Sequence, residues 1–88
     1  MAVYLVAYEQ HEDLEKAELL EILRGLGAER ILSSVFVVAS SGDAQSLHRY
    51  LSDFLKGEDR IFVSRLTEDF SGCVLSEAGP WLANQRPL

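Results

Sequence analysis

The sequence predicts a single α+β domain whose elements run β-α-β-β-α-β, and three observations predict it. Residues 3–8, 35–39 and 61–66 are β-branched and aromatic-rich runs with apolar side chains at odd and even positions alike, as in strands buried on both faces. Between them lie two segments whose apolar residues recur with the period of a helix. The chain has 88 residues, 48% hydrophobic and 25% charged, which suits one packed core and argues against disorder.

Residues 2–9, Ala-Val-Tyr-Leu-Val-Ala-Tyr-Glu, contain no breaker and read as a central first strand. The period then changes over residues 12–24. Leu19, Ile22, Leu23 and Leu26 fall at i, i+3, i+4 and i+7, while Glu15, Lys16, Glu18 and Glu21 lie largely elsewhere. Glu12 and Asp13 in the first turn and Arg24 in the last suit the helix dipole, and Gly25 or Gly27 supplies the left-handed stop. Residues 28–40 are strand-like again but too long for one typical strand, so the chain is split near Ser33-Ser34 into two strands joined by a tight turn or bend. Ser41-Gly42-Asp43 punctuates, with Asp43 as N-cap. Leu47, Tyr50, Leu51, Phe54 and Leu55 follow as the apolar stripe of a second helix that Gly57 ends.

Residues 60–66 form the fourth strand. A looser tail, 67–88, holds Gly72, Gly79, Pro80 and Pro87; in it Cys73-Val74-Leu75 is a candidate edge strand and Trp81-Leu82 a candidate hydrophobic anchor. The order is that of the ferredoxin-like βαββαβ sandwich, a four-stranded antiparallel sheet with both helices on one face. One domain, 1–88, is thus expected, with a core at 2–66. Two helices roof only one face of such a sheet. The other would lie against water as an apolar patch of a kind that soluble monomers rarely show, so a homodimer packed through the sheet face is expected. Val37 and Val6 are the outward residues on which an Asp substitution would test it.

Fourteen acidic against eight basic residues give a net charge of −6, a field that repels a nucleic-acid backbone. The basic residues are scattered, without a run or an aromatic ladder. No apolar run approaches the roughly 18 to 20 residues of a membrane span, and the N-terminus lacks the basic region of a signal peptide, which points to the cytoplasm. The single cysteine, Cys73, excludes an internal disulfide and agrees with a reducing compartment; it reads as a small hydrophobe rather than a nucleophile. Ser33 and Ser34 read as turn residues, His11 and His48 as surface residues. Arg30 and Arg65 read as ion-pair partners on the dimer-facing sheet.

The stretch Leu23-Arg24-Gly25-Leu26-Gly27-Ala28-Glu29-Arg30-Ile31-Leu32-Ser33-Ser34-Val35-Phe36 resembles the helix-to-strand junction of the second CRISPR-associated protein (Cas two) and its relatives: a glycine-containing turn, an Arg opening the strand, then Ser-Val-Phe. Ala7-Tyr8-Glu9 stands where that family usually has Tyr-Asp, and the match covers roughly residues 2–66. The tail around residues 76–82 is similar to the small Cas-two-like proteins of the SinR family. The resemblance implies a ferredoxin-like homodimer with facing sheets. It also implies a site: in active members an aspartate at the end of the first strand, paired with its dimer mate, holds a divalent metal for phosphodiester hydrolysis. Here that position is Glu9, one methylene longer, and the basic residues the family carries just after the strand are replaced by Glu12, Asp13 and Glu15. The expected function is therefore a non-catalytic interaction or scaffold module with a protein partner and no cofactor. The alternative is a magnesium-dependent endonuclease or ribonuclease in which paired Glu9 residues at the dimer axis are both metal ligand and catalytic group.

Overall fold

A computed structural model describes residues 1–10, 18–75 and 78–85. The chain runs through β1 (Ala2–Glu9), α1 (Glu18–Gly25), β2 (Glu29–Leu32), β3 (Val35–Ser40), α2 (Ala44–Ser52), β4 (Arg60–Leu66) and α3 (Ala78–Asn84). The strands form one antiparallel sheet in the order β2-β3-β1-β4, so the protein is a small α+β domain of a four-stranded sheet and three helices. β1 is central because its Val, Leu and Tyr run can be buried on both faces. It pairs with β3 from Ala2↔Ser40 to Ala7↔Val35, and with β4 from Val3↔Leu66 to Glu9↔Arg60.

One face carries Tyr4, Val6 and Tyr8 of β1 with Phe36 and Val38 of β3, and is roofed by Leu19, Leu20 and Leu23 of α1 and Leu47 and Leu51 of α2. The two tyrosines add polar ties at the rim. The Tyr4 hydroxyl donates to the Gly42 carbonyl at 2.7 Å, holding the loop into α2, and the Tyr8 hydroxyl donates to the Ser33 carbonyl at 3.5 Å. The Tyr8 N–H donates to the Ser34 carbonyl at 3.1 Å. Ser33 and Ser34 thus form the two-residue turn between β2 and β3. No residue there has a left-handed φ, and the pairing register shifts between Arg30 and Leu32.

Asp43 caps α2 as expected, its carboxylate accepting from the Ser46 N–H at 2.8 Å and the Ser46 hydroxyl at 2.7 Å. These hydrogen bonds hold its carboxyl below the usual carboxylate range. α2 ends at Ser52, earlier than the apolar stripe suggests; Phe54 and Leu55 pack against the core from beyond the helix, and Tyr50 lies exposed, its ring edge-on to Phe54 at 5.7 Å. The expected start of α1 at residue 12 lies outside the described residues. Leu26, counted in its stripe, falls in the turn that closes the helix and is exposed.

That turn is a Schellman motif: the Ala28 N–H donates to the Leu23 carbonyl and the Gly27 N–H to the Arg24 carbonyl, both at 3.0 Å, with Gly27 at φ +77°. A Cβ at Gly27 would meet nothing within 4 Å, so only its backbone conformation resists a side chain. Gly27→Ala is expected to cost about 1 kcal/mol. Gly25→Ala, at an equally open position without a positive φ, should be neutral or stabilising by up to about 1 kcal/mol. Urea denaturation of the two variants reads the difference.

The second face departs from expectation. Val3, Ile31 and Val37 are buried there beneath Ala78 and Leu82 of α3, with Leu66, Phe70, Val74 and Trp81 packed around them. The tail therefore roofs part of the face that was expected to need a second subunit. It does so with a helix, not with an edge strand at Cys73-Val74-Leu75. There the Leu75 N–H makes one strand-like bond to the Ile31 carbonyl at 3.0 Å, and the Ala78 N–H at the start of α3 donates to the Leu75 carbonyl at 2.9 Å. Burying Ala78 and Leu82 on the face gains more than extending a short ladder. No helix among the described residues is long and apolar enough to cross a membrane.

Candidate functional site

Because paired residues of neighbouring strands share a sheet face, the registers fix what lies on the second face. β1 contributes Val3, Leu5, Ala7 and Glu9, and β4 contributes Leu66, Ser64, Phe62 and Arg60 opposite them. Val35 and Val37 of β3 continue the same rows. α3 and the loop before it stand over the Val3, Val37 and Leu66 end. Between this roof and the sheet runs an apolar cavity of about 640 Å³, walled by residues that include Leu5, Ile31, Leu66, Phe70, Val74 and Leu82, with no charged residue in its lining. Toward the other end the face is open. There Phe62 is 66% exposed, the most exposed large apolar residue among those described apart from Met1.

Glu9 ends the open row. It is exposed and lines a shallow cavity of about 240 Å³ with Gln10, Glu58 and Arg60, the last standing directly opposite it in the β1–β4 register. The described residues here offer a metal two carboxylates beside a guanidinium, and among the described residues no group of three or more His, Cys, Asp or Glu side chains could hold one. A hard divalent cation takes six or more oxygen ligands and is opposed by the arginine charge. The described residues of one chain do not fit the metal.

The other candidates separate. Arg30 and Arg65 pair with Phe36 and Tyr4, which places both on the helix-covered side of the sheet and not on the open one; the Arg30 guanidinium lies over the Phe36 ring, 5.3 Å from its centroid. His48 is exposed on α2, and His11 lies outside the described residues with Glu12, Asp13 and Glu15. Cys73 is exposed in the wall of the apolar cavity. Val6 and Val37 are both fully buried, one under each roof, and neither is an outward probe.

No family model matches the chain and no solved structure matches it. The surface is accordingly read from its own chemistry. Its most distinctive residue, Phe62, was part of a recognised strand run, but its face depends on a register that only the pairing partners reveal.

Proposed function

We propose that this is a non-catalytic, ferredoxin-like interaction module of the Cas-two-like or SinR-like kind, which works as a homodimer through the part of its second sheet face that α3 leaves open. The observation that carries the reading is Phe62. An aromatic side chain 66% exposed beside Leu5 and Ala7, on the open half of an otherwise roofed apolar face, is costly to leave in water. Large aromatics are also the residues that dominate protein interfaces. The acidic net charge, −6, keeps such a module off nucleic acid. A protein partner remains the natural further ligand of the dimer, in the cytoplasm.

Light scattering tests the reading directly. The wild type should have twice the chain mass at micromolar concentration, and Phe62→Lys, which removes nothing from the core, should be a folded monomer with an unchanged circular dichroism spectrum. A monomeric wild type would overturn it.

A second reading, the magnesium-dependent endonuclease or ribonuclease, draws support from one observation: Glu9 lies on the same open face as Phe62, so a two-fold axis beside it would bring two Glu9 carboxylates to one surface. Magnesium should then raise the melting temperature of the wild type but not of Glu9→Ala, and the same substitution should abolish hydrolysis of RNA or DNA. The non-catalytic reading expects neither protein to respond to magnesium nor to cleave.

A further inference from the structure

Strand β4 is an edge of the sheet, and its only blunting charges are the arginines at its two ends, Arg60 and Arg65, which leave its centre unprotected. Its seven residues, Arg-Ile-Phe-Val-Ser-Arg-Leu, contain no proline and no lysine, and its pairing with β1 runs through seven consecutive partners without a register shift. Ile61, Phe62 and Val63 at its centre are strong strand formers. Such an edge presents a regular row of backbone donors and acceptors to another strand, and Phe62, the most exposed large apolar residue of the open face, lies on it.

We infer that two copies of this chain join β4 to β4, antiparallel, about a two-fold axis at Phe62, so that their sheets become one continuous eight-stranded sheet; the inference rests on the homodimer proposed above but puts its contact at the β4 edge that borders the open face, in place of the face itself. Side-chain pairing selects the register. With the axis at Phe62 the two phenylalanines meet each other, Ile61 meets the partner's Val63, Arg60 meets the partner's Ser64, and Asp59 meets the partner's Arg65. Apolar residues thus pair on both faces, with opposite charges outside them. An axis midway between two residues would oppose side chains of opposite sheet faces, which a ladder does not allow, so the axis falls on a residue. Placing it on Val63 sets Phe62 against the partner's Ser64 and Ile61 against the partner's Arg65. On Ser64, it sets Val63 against the partner's Arg65. Only the first register buries the exposed ring against another ring. It also holds the two Glu9 residues about 20 Å apart, four residues along the strands and three strand spacings across, too far to share a metal.

Cysteine crosslinking tests the geometry. Cys73, the chain's one cysteine, is exposed and is first replaced by Ser. Arg60→Cys and Ser64→Cys, both at exposed positions, are then made as separate chains in that background, mixed, equilibrated and oxidised. The mixture should give a covalent dimer of twice the chain mass. Neither variant alone should, because each cysteine would lie four residues along the strand from its copy. Crosslinking by Ser64→Cys alone would overturn the register in favour of an axis on Ser64. Absence of any crosslink in a protein that light scattering shows to be dimeric would overturn the edge-to-edge geometry and leave the dimer reading standing. A monomeric protein would overturn both.

Discussion

Val37→Asp should abolish the folded state, whereas Phe62→Asp should leave it intact. Val37 lies in β3, next to the centre of the sheet, fully buried beneath α3 and in contact with Val3, Ile31 and Leu82. A carboxylate there loses its water and gains no partner, a cost of several kcal/mol even after protonation, against a total stability for a domain of this size of roughly 5 to 10 kcal/mol. Phe62 occupies the same face two strands away but is mostly in water, so a charge there removes only surface the monomer had exposed. Circular dichroism should show a cooperative unfolding transition for Phe62→Asp and none for Val37→Asp at room temperature. Retention of a native-like transition by Val37→Asp would mean that α3 does not seal that part of the face.

Ending the chain after Leu75 should destabilise it almost as much. Without α3, Val3, Ile31 and Val37 lose the roof formed by Ala78 and Leu82. Re-exposing three large aliphatic side chains, at about 1.5 kcal/mol or more each, costs about 5 kcal/mol. The shortened chain should either unfold at a much lower urea concentration or cover the bare face by stacking on a second copy. Urea denaturation and light scattering together distinguish these outcomes from a protein of unchanged stability and mass, which would show that the helix contributes little. The dimer expected from the sequence, sheet packed on sheet, is therefore most accessible to the chain that lacks its tail.

The difference between the expected and observed roofs shows what was legible. The four strands, the two long helices, the Ser33-Ser34 corner and the Asp43 cap were all readable because each rests on local chemistry: residue period, a turn pair, a carboxylate one residue before a helix. α3 was not, because Gly79 and Pro80 read as breakers. In the structure Pro80 is the third residue of α3, in the first helical turn, where a missing N–H leaves no hydrogen bond unmade. The signal that was present, Ala78 and Leu82 four residues apart with Trp81 beside them, covers barely two turns. Glu9 was placed correctly at the end of β1, but its opposition to Arg60 is a cross-strand relation between residues far apart in the chain, and no local pattern carries it. The same holds for Arg30 and Arg65, whose assignment to the open face was a one-residue matter of register.

The sheet order has a consequence for how the chain acquires its fold. β1 is made first but is flanked by β3 and by β4, the last strand, so Val3 must wait for Leu66 before its row is complete. During synthesis the β1–β3 pair can form early, leaving one margin of β1 and the whole of the Val3, Val37 and Ile31 surface bare until β4 and then α3 arrive. Pairings between residues so distant in sequence are slow to form. The interval between the emergence of β3 and the seating of Leu82 is thus the period in which this protein is most prone to aggregate, and slower passage through residues 41–59 would lengthen it.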